Sequence, residues 1–184
     1  MDKVAALKEL ELEIAANATL PLTGQANLVF GEGNPDCQVL FIGEAPGENE
    51  DIQKRPFVGR GGQLLRGCIR ELGWKEEDVY ITNIVKRRPP GNRDPLPEEK
   101  EACLPFLQME IALIKPKVIV PLGRHALTTF FTKMSITDMH GKPQKLGEGM
   151  TIFPIYHPAA ALHNPGLRQA LFDFSACQFG FCEA

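Results

Sequence analysis

The chain has no apolar run near the ~20 residues that a membrane-spanning helix needs. Its opening, Met1-Asp-Lys-Val4, shows neither the basic nor the apolar region of a secretory signal. Both absences point to a cytoplasmic protein with no membrane partner. The five cysteines (37, 68, 103, 177 and 182) are odd in number and include no C-x-x-C pair, which excludes a disulfide framework and a zinc finger. Nucleotide-binding fingerprints are missing as well: there is no G-x-x-x-x-G-K-[ST] and no G-x-G-x-x-G. A G-x-S-x-G nucleophile elbow and an H-E-x-x-H zinc site are also lacking. An overall excess of positive charge is absent too, since the net charge is −3, which argues against a general nucleic-acid binder.

That net value hides an asymmetry. Residues 1–53 carry 2 basic and 10 acidic side chains, residues 54–93 carry 10 basic and 4 acidic, and residues 94–184 carry 8 and 9. The basic segment follows directly on Gln38-Val-Leu-Phe-Ile-Gly-Glu-Ala-Pro-Gly47, the stretch around which the chain is organised. Val39 to Ile42 has the pattern of a buried parallel strand, and Gly43 to Gly47 breaks it into a loop where backbone can approach a ligand closely. Positive charge beside such a loop suggests a polyanionic ligand or, more plainly, a solvated charged face.

Apolar positions at helical spacing (Val4, Leu7, Leu10, Leu12 and Ile14) predict a helix over residues 2–16. A second Gly-rich turn, Pro56 to Gly62, leads into a helix from Gln63 to Leu72. Val79 to Val85 reads as the second strand and Pro97 to Ile114 as a helix with Pro and acids in its first turns. Lys117 to Gly123 reads as the third strand, Arg124 to Phe131 as a short helix, Thr151 to Tyr156 as the fourth strand, and Leu167 to Phe174 as a closing helix. Alternating strands and helices over 184 residues predict one domain, residues 1–184, built as an α/β sandwich on about four mostly parallel strands. The strand ends Gly43–Gly47, Asn83–Arg93, Gly123–Arg124 and His157–Pro165 then share one edge, where open sheets bind ligands.

On that edge the chemistry on offer is an amide (Asn83), an imidazole (His157), two carboxylates (Glu44, Glu50) and an aromatic ring (Phe57). An Asn places donor and acceptor side by side, enough to read one edge of a base. A His can donate to a developing anion, and a Phe can stack on a planar ring. Each also has a plain reading: a turn residue, a satisfied imidazole, a core aromatic. The other histidines, His125, His140 and His163, take the plain one.

Six blocks then carry a resemblance, in order: Gly43-Glu-Ala-Pro-Gly-Glu-Asn-Glu-Asp51, Arg55-Pro-Phe-Val-Gly-Arg-Gly-Gly62, Ile81-Thr-Asn-Ile-Val-Lys86, Arg88 to Arg93, Val118 to Arg124, and His157-Pro-Ala-Ala160. Together, over residues 7–172, the chain resembles the family 4 uracil-DNA glycosylases. The resemblance implies a three-layer α/β/α sandwich with a central four-stranded parallel sheet, and an enzyme that hydrolyses the bond between uracil and deoxyribose to start base-excision repair. It implies that Phe57 stacks on a flipped-out uracil, that Asn83 reads its edge, and that His157 stabilises the departing anion. Glu50 would exclude the thymine methyl or place water, with Glu44 as a further catalytic candidate, and Ala45 and Gly47 would line the pocket. Arg60, Lys86, Arg87, Arg88 and Arg93 would face phosphates, while Ala161, Leu162 and His163 would press into the duplex. Where the best-known uracil-DNA glycosylases place a water-activating Asp, this chain has Ala45, so the expected path is dissociative, with late attack by water.

The departures are equally informative. The family holds a four-iron, four-sulfur cluster on four cysteines, and the corresponding positions here are Asn17, Leu20, Arg87 and Cys103. One thiolate cannot hold such a cluster. The expectation is therefore an enzyme with no metal and no cofactor, acting as a monomer on single- or double-stranded uracil-containing DNA. The segment Lys86 to Arg93 holds no His, so a covalent trap for the product is not expected. The alternatives are a glycosylase that also takes hypoxanthine or xanthine, and a non-catalytic module that binds uracil or abasic sites.

Overall fold

A computed structural model describes residues 2–147, 149–162 and 164–172. Its six strands are β1 (Glu32–Gly33), β2 (Val39–Gly43), β3 (Val79–Asn83), β4 (Val118–Pro121), β5 (Gln144–Leu146) and β6 (Met150–Ile152). They form one sheet in the order β1-β3-β2-β4-β6-β5. The four central strands are parallel, as expected, and two short antiparallel strands that the sequence did not announce close the edges.

The helices are α1 (Lys3–Ala16), α2 (Glu48–Gln53), α3 (Arg60–Glu71), α4 (Pro97–Ile114), α5 (Gly123–Thr128), α6 (Ile136–Met139), α7 (Pro158–Ala161) and α8 (Pro165–Phe172). Successive strand residues point to opposite faces of the sheet. Leu40 and Ile42 therefore join Leu7, Leu10, Ile14, Leu107 and Ile114 in one core, with α1 and α4 as its outer wall. Val39 and Phe41 join Leu65, Ile69, Phe153 and Leu171 in the other, beneath α3, α7 and α8. The result is a three-layer α/β/α sandwich.

In α1 the buried positions are Leu7, Leu10 and Ile14, while Val4 and Leu12 are 64% and 58% exposed. Three apolar contacts at i, i+3 and i+7 suffice to seat one helix against α4. Pro at N1 begins α4, and the Glu99 carboxylate accepts the Leu96 amide at 2.8 Å. The helix stops at Lys115 in the left-handed region, just before Pro116. Strand β2 runs one residue past Ile42, to Gly43, whereas the other three parallel strands are shorter than predicted because each unwinds where its loop begins: β3 ends at Asn83, and beyond β4 a single bridge, Leu122 to Ile155, continues the ladder. The residues after Phe172, with Cys177 and Cys182, lie outside the described residues.

Candidate active site

The carboxyl ends of β2 and β3 lie side by side, with Gly43 in register with Asn83. A side chain at Gly43 would stand 2.4 Å from both Asn83 Oδ1 and the tip of the Phe57 ring. Only glycine lets the amide and the ring converge there. Asn83 is 2% exposed, and its Oδ1 has no protein partner. A buried amide oxygen left unpaired is costly unless something else supplies its hydrogen bond.

Phe57 holds a left-handed backbone, φ 54°, which is uncommon for an aromatic residue. Helix α3 starts directly against it: a Cβ at Gly62 would stand 2.1 Å from the Phe57 carbonyl. Arg66, one turn on, donates from Nε to the Phe57 carbonyl at 3.0 Å and from Nη2 to the Pro56 carbonyl at 3.1 Å. Its fork also pairs with Glu32 and Glu76, each at 2.5 Å. The ring platform is thus built by the backbone beneath it.

Glu50 joins the two glycine-rich loops. Its Oε1 accepts the amides of Val58 at 2.9 Å and Gly59 at 2.6 Å, and its Oε2 accepts that of Gly47 at 3.2 Å. Three backbone donors on one carboxylate fix both loops around a common centre.

His157 is the N-cap of α7, and its Nδ1 accepts the Ala159 amide at 3.1 Å. That bond assigns the tautomer: the neutral ring carries its proton on Nε2. Burial, followed by the nearby His125, pushes the His157 pKa down to about 4, with Glu50 acting in the opposite direction. At neutral pH the ring is therefore uncharged and presents an N–H donor. Its centroid lies 6.0 Å from that of Phe57, the two rings inclined at 36°.

These groups enclose a cavity of about 340 Å³ whose wall includes Ala45, Gly47, Glu50, Phe57, Asn83 and His157. Arg60 stands exposed in the same wall. The volume lies in the range of small-ligand sites. An aromatic face, one amide edge and one imidazole donor suit a flat heterocycle that leaves as an anion.

Residues 30–177 match the family profile described as the Uracil DNA glycosylase superfamily. The chain belongs to this superfamily. Among its relatives, the Type-4 uracil-DNA glycosylase of Sulfurisphaera tokodaii is 50% identical over 156 residues, 80% of this chain and 71% of that protein. The Type-4 uracil-DNA glycosylase of Thermotoga maritima is 50% identical over 142 residues, 76% of this chain and 74% of its own. A DNA polymerase of Bacillus phage SP01 is 36% identical over 137 residues, 73% of this chain but 15% of the polymerase.

Not every superfamily residue singled out from the sequence reaches the cavity. Glu44 does not line it; its carboxylate turns instead toward His125 Nε2, 3.6 Å away. Burial, reinforced by Asp94, raises the Glu44 pKa to about 7. Glu44, Asp94 and His125 bring one donor atom each within 4.8 Å of one another, a spacing that suits a cation. Two of the three are bonded to the Arg124 guanidinium, Asp94 at 2.7 Å and His125 at 3.1 Å.

Three residues expected at DNA are buried and face inward. Lys86 is 1% exposed and pairs with Glu110, Arg87 is 6% exposed, and Ala161, in α7, is 1% exposed and packs in the core. Arg88 is half-buried, bonded to Asn92 at 2.6 Å and near Glu48 at 3.5 Å; Arg93 pairs with Glu99 at 2.6 Å. Leu162 is partly buried at the end of α7, and His163 lies outside the described residues.

The positions that resemble the cluster cysteines do not fit an iron–sulfur group. Leu20 and Cys103 pack in the apolar core, and burial raises the Cys103 thiol pKa. Arg87 sends Nη2 toward the Ile14 carbonyl at 3.5 Å, near the end of α1. An alkyl chain, a guanidinium and an Asn amide leave one sulfur donor where four are needed. Asn49, Asn92 and Ala159 also line the cavity and were missed. Asn49 and Asn92 sit inside the quoted blocks, but an Asn in a turn carries no distinguishing signal.

Proposed function

We propose that this chain is a monofunctional uracil-DNA glycosylase, which hydrolyses the N-glycosidic bond of uracil in DNA and leaves an abasic site for base-excision repair. The observation that carries the proposal is the hydrogen bond from the Ala159 amide to His157 Nδ1, which leaves Nε2–H as a neutral donor on a cavity also lined by Asn83 and Phe57. Relatives named Type-4 uracil-DNA glycosylases at about 50% identity support it.

In this reading the nucleotide flips out and its base stacks on Phe57, while Asn83 bonds the uracil edge. As the bond between N1 and C1′ breaks, its electron pair passes to the base. The resulting negative charge on O2 meets His157 Nε2–H, the kind of donor whose removal typically costs about 10²–10³ in rate. Water then adds to C1′ of the oxocarbenium sugar, and the proton it loses passes through solvent to the uracil anion, which completes the hydrolysis. Ala45 supplies no base, so charge stabilisation on the leaving group carries most of the rate. Glu50 keeps its two loops in place through three amides and acts as a positioning residue.

The test is a strand with one uracil, incubated with chelator and then hot alkali, beside matched thymine and hypoxanthine strands. Breakage at uracil alone supports the reading. Breakage at hypoxanthine too would replace it with a broader deaminated-base glycosylase, and tight binding without breakage would replace it with a binding module.

A further inference from the structure

The four-residue turn after β3 encloses an ion pair in the protein interior. Lys86 is 1% exposed, Glu110 of α4 and Thr82 of β3 are both 0% exposed, and the Lys86 ammonium contacts the Glu110 carboxylate directly. Each ammonium hydrogen has an acceptor. Besides Glu110 Oε2, Nζ donates to Thr82 Oγ1 at 2.7 Å and to the Asn83 carbonyl at 2.8 Å. The Thr82 hydroxyl in turn reaches both Glu110 oxygens at 3.2 Å. The Phe30 ring lies 5.7 Å from the ammonium on another side.

Burying two full charges is expensive, and an apolar pair of similar volume often serves stability as well or better. The pair's location gives it another use. Beyond Gly43–Asn83 the regular ladder ends, and Ile84 and Val85 hold on by bonds to the Gly43 and Glu44 carbonyls. The Asn83 carbonyl, at this transition from strand to loop, is held by Lys86, and Lys86 is held by a helix on the far side of the core. Asn83 is also the residue whose Oδ1 is buried without a protein partner. An amide that must meet one edge of a base needs its backbone fixed, because small displacements cost large factors in rate.

We infer that the buried Lys86–Glu110 pair, with Thr82, is a positioning device for Asn83, tying the base-reading amide to α4. The inference deepens the uracil-excision reading and rests on it. Lys86 and Glu110 touch no substrate in this account; they act through Asn83.

The experiment replaces the pair by apolar residues, Lys86→Met with Glu110→Leu, and adds Thr82→Val as a milder second variant. Each is compared with the native protein in single-turnover excision of uracil, alone and combined with Asn83→Ala. Melting temperature is measured in parallel. The expected result is a melting temperature equal to or above that of the native protein for the apolar pair and somewhat below it for Thr82→Val, with kcat lower by about 10–100-fold and KM little changed in both. The cost of Asn83→Ala should shrink by a similar factor in those backgrounds, since the amide is already out of place. An unchanged rate, or a lowered rate with Asn83→Ala still costing its full factor, would overturn the inference. Thr82→Val keeps the test in force if the double variant does not fold. A second readout does not depend on activity: the Asn83 side-chain amide signals in ¹⁵N-labelled protein, assigned by their loss in Asn83→Ala. They should shift or broaden in the variants, and unchanged signals would count against the device. If the native protein releases no uracil, the functional reading fails while these signals still decide the positioning question.

Discussion

His157 Nδ1 and the Ala159 amide stand 3.1 Å apart across the first turn of α7, and this single bond decides how the imidazole can be used. An Nδ1 that accepts cannot carry a proton, so protonation of the ring must break the cap. The folded-state pKa, about 4, lies below the ordinary 6.5, so the unfolded chain takes up the proton first. Stability should therefore be full above about pH 6.5 and fall as the pH drops toward 4, by up to about 3 kcal/mol. Denaturant unfolding at pH 7.5, 6, 5 and 4 measures this. His157→Gln should flatten the part of the slope that belongs to the ring.

Glu44 titrates in the opposite sense. Its pKa, raised to about 7 from 4.5, means that the folded protein prefers the neutral acid. The associated stability is present below about pH 4.5 and is lost as the pH rises through 7. Glu44→Gln should raise the melting temperature at pH 8 by a few degrees, for about 1–2 kcal/mol, and leave it unchanged at pH 4. An equal effect at both pH values would disprove the assignment.

Asn83 offers both a donor and an acceptor to the base. Asn83→Ala should slow uracil excision and also relax selectivity, because sites built to bond a polar edge can reject its analogues by up to about 10⁴–10⁵. Single-turnover rates on uracil and cytosine strands report both effects. A slower enzyme with undiminished selectivity would place base reading elsewhere.

Arg66 carries the platform under Phe57 through two carbonyls and two carboxylates. Arg66→Ala leaves Glu32 and Glu76 without this partner and should cost about 2–4 kcal/mol, with uracil binding weakened. Arg66→Lys should recover little, since an ammonium cannot reproduce the fork. Denaturant melts and KM values check this; full recovery by Lys would contradict it.

The sequence revealed the site more fully than it revealed the supports behind it. Short apolar runs between glycines and prolines mark the central strands, which are buried on both faces, and Pro97 with acids in the first turn marks α4. The ring, amide and imidazole were legible because each ends a strand or a glycine turn. The family resemblance implies a phosphate contact for Lys86; only tertiary packing brings Glu110, 24 residues on, against it. Glu50 is a catalytic candidate in the sequence, and in the fold its Oε1 accepts amides eight and nine residues away while its Oε2 accepts that of Gly47. Charge that is buried and paired across elements leaves no local pattern.

The most direct test of the account is the pH dependence of single-turnover uracil excision by the native protein in the presence of chelator. A neutral imidazole donor predicts a rate that stays level from pH 8 to about 5 and falls only toward pH 4, where the ring gains its proton and loses the Ala159 bond. A rate that climbs as the pH drops below 6.5 would mean that a charged imidazolium does the work, and would contradict the account.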